Sequence, residues 1–159
     1  MSSYMSFFIR GIDDTFYPIG TYCRNTAIYE LFEEACFGAW EKINPVSIDS
    51  INYARHIIET EIQNWEMAIA SLKLDRDMIP SFNNSLEDKL EALEDYRIKI
   101  KDYEGRLKEV EEAKSFCYFL EEIINERLYA DDVNGADPNK YLYCGIEVGC
   151  SPTVDDIIE

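Results

Sequence analysis

From Ser47 onward, one pattern limits what this chain can become. Positions Ile48, Ile51, Arg55, Ile58, Ile62, Trp65, Ile69, Leu72, Arg76 and Ile79 follow one another in alternating steps of three and four, and all but the two arginines are apolar. A stripe that recurs every ~3.5 residues stays on one edge of a helix that winds against a partner, whereas the stripe of an isolated surface helix drifts with its ~3.6-residue turn. The segment therefore predicts a coiled-coil helix, with Ser47 as the N-cap whose hydroxyl satisfies an orphan amide of the first turn.

The partner follows directly. The stretch Met78-Ile79-Pro80-Ser81-Phe82-Asn83-Asn84 breaks the pattern, because Pro80 lacks an amide hydrogen and disfavours helix at the residue before it. Asn84, with Glu87 three residues on, reads as a capping box that starts a further helix. Its seam runs through Leu86, Leu93, Tyr96, Ile100, Tyr103, Leu107, Val110, Lys114, Cys117, Ile124 and Leu128, with Lys89 and Glu121 filling intermediate positions. So short a connection implies an antiparallel hairpin, since a parallel pair needs a long return. At a rise of about 1.5 Å per residue the arm reaches roughly 45 to 50 Å. In a hairpin centred near Phe82, Arg55 stands opposite Glu111, an acid of the right sign to lock register. Alternatively, Arg55 or Arg76 marks a surface where a third helix docks.

The second seam outruns the first. Beyond Ala113 the apolar stripe widens to take in Phe116, Phe119, Leu120 and Ile123, and a wider stripe needs more neighbours than one helix supplies. The N-terminal segment offers them. Residues 4 to 9 and 15 to 22 are β-prone and read as a hairpin whose second strand, with Pro18 and Gly20, is irregular or at an edge. Asn25 or Thr26 caps a short helix with Ile28, Leu31, Phe32 and Ala35 on one face and Gly38 as its stop. After a loop over 131 to 138, residues 141 to 148 form a third strand that joins the hairpin. The predicted fold is α+β and mainly helical, with a small antiparallel sheet (N-terminal hairpin plus C-terminal strand), a short helix and a long antiparallel helical hairpin. Residues 1–46 and 114–148 make a small head, 47–113 the coiled-coil arm and 149–159 an acidic tail.

Charge narrows the function. The chain carries 15 basic and 32 acidic side chains, a net charge of −17, yet 47% of its residues are hydrophobic, so the acids clothe a folded body. Nucleic acids and anionic membranes are polyanions and would be repelled, which argues against direct binding to either. No apolar run approaches the roughly 18 to 20 residues that span a bilayer, and Met1-Ser2-Ser3-Tyr4 lacks a basic signal-peptide start. The expected location is the cytoplasm, that of the host if the gene is phage-borne. Cys23, Cys36, Cys117, Cys144 and Cys150 are odd in number and widely spread, which suits reduced thiols.

Catalytic patterns are sparse. His56 is the sole histidine and falls beside the seam rather than on it, so a His-dependent nucleophile would have to be built around a solvated side chain. There is no Cys-x-x-Cys, no paired Glu-x-x-His and no glycine-rich phosphate cradle. Glu30, Glu33 and Glu34, with Glu121, Glu122 and Glu126, are of the kind that holds Mg²⁺ in all-helical nucleotide pyrophosphohydrolases, although acids at such spacing also arise as plain solvated faces. Glu121 stands out because it falls on the seam, where it either lies beyond the end of the first long helix or pairs with Lys114 or a head-domain cation such as Arg24.

The expectation is a protein that is not an enzyme and uses no cofactor or metal: an acidic protein-binding inhibitor that blocks, or mimics nucleic acid toward, a basic partner protein. A phage or mobile-element inhibitor of a host nucleic-acid enzyme, such as an anti-CRISPR protein, would have this character. The candidate contact residues are Met78, Ile79 and Phe82 at the arm tip, Glu109 and Glu112 on the acidic face, and Asp155 and Asp156 in the tail. The rival readings are a Mg²⁺-dependent nucleotide hydrolase and a structural homo-oligomer built through the arm.

Overall fold

The computed structural model describes residues 3–11, 15–34, 42–125 and 141–148. The elements run β1 (Ser3–Arg10), β2 (Phe16–Cys23), α1 (Ala27–Glu34), β3 (Lys42–Pro45), α2 (Ile48–Met78), a turn of 3₁₀ helix (Ile79–Ser81), α3 (Leu86–Asn125) and β4 (Leu142–Val148). This is the predicted mixture of a long helical hairpin and a small antiparallel sheet. Among the described residues no helix is long and apolar enough to cross a membrane. The predicted stop at Gly38, the seam end at Leu128, the loop over 131 to 138, Cys36, Cys150 and the tail lie outside the described residues.

The sheet has the order β2-β1-β4-β3, antiparallel throughout. The expected hairpin and C-terminal strand are present, with β4 pairing against β1 rather than the irregular β2. The register between β1 and β2 slips between Phe7 and Phe8, where β2 carries Ile19 as an extra residue beside Pro18, and β2 lies at the edge, where a missing donor costs no ladder bond. Gly20 leaves room there for the Tyr22 ring, which would stand 2.9 Å from an added Cβ.

A fourth strand, β3, was not expected. Lys-Ile-Asn-Pro is too short and too polar to show alternation, and it becomes a strand only because Ile43 and Pro45 pair with Gly145 and Tyr143 of β4. Ile43 packs with Phe8 and Tyr143 on the face of the sheet turned from the helices. Arg10 is buried on that face too, donating to the Tyr143 hydroxyl at 3.1 Å with its guanidinium over the Phe16 ring.

The main core joins Met5, Phe7, Ile9, Leu142, Cys144 and Ile146 of the sheet to α1 and to the roots of both long helices. It continues through Ile51, Ala54, Ile58, Val110 and Ala113, so head and arm share one apolar interior. Phe116 is the hub. Its ring meets those of Phe7 and Tyr22, both at 5.0 Å, and that of Phe32 at 5.9 Å, all edge to face. The widened stripe of the last helix thus meets the neighbours it requires.

In the arm, each predicted seam position of α2 is buried or half-buried. Ser47 caps the helix as expected, its Oγ accepting the Ser50 amide at 3.2 Å. Thr26 caps α1, its Oγ1 accepting the Tyr29 amide at 3.3 Å. The cap of α3 is Ser85, not Asn84: Ser85 Oγ accepts the Asp88 amide at 3.1 Å, and its carbonyl accepts that of Lys89. The cap is shifted by one residue, with the Ser85 hydroxyl taking the Asp88 amide in place of the expected pairing of Asn84 with Glu87. Leu86, given a seam position, is exposed, because α2 has ended at that level and offers it nothing to pack on.

Candidate functional site

The longest uninterrupted surface belongs to α3, whose 40 residues extend about 60 Å. Its seam faces α2, so residues two and five places beyond each first seam position point outward. On that outward side stand Asp88, Glu91, Asp95, Asp102, Glu109 and Glu112, all exposed. Asp88, Asp95, Asp102 and Glu109 recur at every seventh residue, a step of about 10.5 Å along the helix. Ile98 and Gly105 occupy the remaining places, and no Lys or Arg enters the stripe from Asp88 to Glu112. Gly105 adds no side chain, and nothing lies within 4 Å of where its Cβ would be.

Lys73, Arg76, Arg97 and Arg106 of the arm are held in ion pairs, while Lys101 and Lys108 stand exposed beside the stripe with no ion pair among the described residues. Arg97 grips Glu94 through two bonds, at 2.6 and 2.8 Å, and holds that carboxyl below the usual range. Lys73 reaches Glu104 at 3.5 Å and Arg76 reaches Asp77 at 3.1 Å. Arg106 bridges Glu30 of α1 and Glu109 of α3, the latter at 3.0 Å, which ties the short helix to the rod and raises the guanidinium pKa. Arg106 thus pairs Glu109, a member of the stripe, and the other five acids keep their carboxylates exposed.

At its head end the stripe opens on a groove of about 420 Å³, lined by Tyr22, Asn25, Thr26, Ala27, Ile28, Glu109 and Glu112. Glu109 and Glu112, two of the residues singled out in the sequence, therefore share one place: the carboxylate rim of a partly apolar groove. The other four acids of the stripe escaped the sequence reading. The seven-residue recurrence from Asp88 was the signal that would have found them.

At the opposite end, Met78 and Phe82 are exposed, while Ile79 is 3% exposed and closes the tip from within. The structure so removes Ile79 from the surface and adds Leu74, Leu86 and Leu90 to it. Asp155 and Asp156 lie outside the described residues.

Among the described residues the acids of the hydrolase reading do not come together. Glu30 is held by Arg106, Glu121 by Arg55 at 3.0 Å, and Glu126 lies outside the described residues. Among the described residues no three His, Cys, Asp or Glu side chains converge to hold a metal ion. His56 is exposed. Arg55 does not meet Glu111, and Glu121 is paired with neither Lys114 nor Arg24; the two seam charges meet each other. Cys23, Cys117 and Cys144 are free thiols, and burial pushes the Cys117 thiol up to about 12 and that of Cys144 higher still.

Comparison with protein-family models, curated proteins and solved structures finds no match.

Proposed function

We propose that this chain is a non-enzymatic interaction protein that lays the carboxylate stripe of α3 along the nucleic-acid-binding surface of a basic protein and keeps nucleic acid out. The observation that carries this reading is the stripe itself, six exposed carboxylates on one face of an unbroken helix, of which Glu109 is also held by Arg106. A groove that binds a polyanion attracts a row of fixed negative charges by the same field, so encounter is fast and weakens with salt. The rigid backbone adds to this, because charges already held in place lose little freedom on binding. A phage- or mobile-element-encoded inhibitor of a host nuclease, anti-CRISPR-like in kind, acts in this way, and its partner is met in the host cytoplasm.

The test is to immobilise the chain and challenge it with a panel of basic nucleases and DNA-binding proteins, CRISPR-type nucleases included, at about 50 and about 500 mM salt. The expected result is a partner retained at low salt, released at high salt and displaced by duplex DNA. Asp95→Asn with Asp102→Asn and Glu109→Gln should reduce retention without loss of helix content. No complex with any member, or retention indifferent to salt and to DNA, overturns the reading.

A further inference from the structure

We propose that the distal tip of the arm is a self-association surface on which a second copy of this chain docks. This goes beyond the role of the acidic stripe and rests on different residues. Leu74 and Met78 stand one turn apart near the end of α2, Phe82 lies in the connection, and Leu86 and Leu90 stand one turn apart at the start of α3. All five are between 48% and 73% exposed. The tip does not need them to hold its own shape. Ile79 fills the interior, the Phe82 amide donates to the Ile79 carbonyl, Ser81 Oγ donates to that of Met78, and Lys89 Nζ to that of Pro80.

Charge selects the occupant. From Met78 to Leu86 the sequence carries no charged residue, in a chain whose net charge is −17. A basic partner is best met by the acids of α3, and an uncharged apolar tip adds no electrostatic attraction for it. A partner that is itself strongly acidic approaches best where carboxylates are fewest, over the apex from Met78 to Leu86, with Asp75, Asp77, Glu87 and Asp88 on its margin supplying a repulsion that salt screens, and a second copy is such a partner. Tip-to-tip contact also places the two heads at opposite ends of the particle, with most of the two acidic stripes separated by more than the Debye length of about 10 Å.

Shape and area agree with this occupant. Met78, Phe82 and Leu86 form the uncharged apex, with Leu74 one turn back along α2 and Leu90 one turn on along α3, so a two-fold axis at the apex sets this patch against the same patch of its mate. The meeting ends then pack as a short four-helix bundle. The five side chains, each close to half exposed or more, give on the order of 500 Å² per copy, at the low end for specific association. The dimer is accordingly weak and concentration-dependent. Its response to salt is opposite in sign to that of the stripe, because salt screens the repulsion between two acidic chains and leaves apolar contact intact.

Sedimentation equilibrium of the full chain from about 5 to about 500 μM, at about 50 and about 500 mM salt, decides the matter. The expected result is a monomer–dimer equilibrium that strengthens with salt and that Leu86→Glu or Phe82→Glu each weakens about tenfold or more. Met67→Glu, an equally exposed apolar site on α2 away from the tip, should leave it unchanged, with helix content the same in all variants. A monomer under every condition, a dimer that weakens with salt, or a dimer indifferent to the tip substitutions overturns the proposal. Tip variants that lose a basic partner while the chain stays monomeric assign the tip to that partner and also overturn it. A wild-type chain that dimerises as expected yet retains no member of the basic-protein panel would instead refute the proposed inhibitor function alone.

Discussion

Arg55 and Glu121 hold a 3.0 Å ion pair although they do not stand level across the arm. The level is marked by Cys117, whose Sγ donates to the Ile51 carbonyl at 3.6 Å. Arg55 lies one turn beyond Ile51, and Glu121 one turn beyond Cys117. Helical side chains lean toward the N-terminus of their own helix, so in an antiparallel pair these two lean toward each other and meet at the level between. Lys73 and Glu104 pair with nearly the same offset.

Glu121 is 12% exposed and Arg55 37%, and Glu121 Oε1 is shielded from solvent without an aligned hydrogen bond. Removing the arginine leaves that carboxylate without its counter-charge. Arg55→Ala is expected to cost about 1–2 kcal/mol, more than Glu121→Gln, and the double variant should recover part of the loss. Urea unfolding of the three variants measures this, and equal, additive losses would show that the pair is not coupled.

The start of α3 offers a test between neighbours. Ser85→Ala removes the hydroxyl that accepts the Asp88 amide and should lower stability by about 1 kcal/mol. Asn84→Ala, one residue earlier, should have little effect. Thermal melts of the two variants would reverse this order if Asn84 were the cap.

Phe116 joins sheet, α1 and α3 through one ring. Phe116→Ala opens a cavity beside Phe7, Tyr22 and Phe32 and is expected to cost about 2–3 kcal/mol, below the value for a fully buried phenylalanine because this ring is only partly covered. Near-ultraviolet circular dichroism should lose aromatic signal while far-ultraviolet helix signal persists.

Burial, with the charge of Glu121 adding to it against the opposing effect of Arg55, lifts the Cys117 thiol from its ordinary 9.0 to about 12. The folded chain therefore keeps the proton that the unfolded chain releases near pH 9, and stability should fall as pH rises from about 9 toward 12. With Cys36 and Cys150 replaced by Ser, a thiol reagent at pH 8 should modify Cys23 at once, and Cys117 and Cys144 only after unfolding. Three equally fast thiols would contradict the burial.

Much of this architecture was legible because its causes are local. The seam from Ile48 to Ile79 repeats in steps that only a paired helix satisfies, Ser47 and Thr26 are hydroxyls set just before apolar periodicity, and the widening at Phe116 announces extra neighbours. β3 was not legible, since a four-residue strand ending in proline owes its form to β4. The pairing of Arg55 was missed because opposition along the axis was taken as contact, with the lean of side chains left out. For the candidate site, Glu109 and Glu112 were found as isolated acids; their membership in a stripe depends on which side of α3 the seam leaves free.

Residue order alone determined that two long helices fold back on each other, where the first begins and, to within one residue, where the second does, and that the surface is acidic, because period, caps and composition act within a few turns of chain. Tertiary structure decided which acids remain unpaired, which apolar residues at the tip stay uncovered and which edge β3 joins. Those outcomes depend on what residues far apart in the chain place beside one another, and no local preference records that.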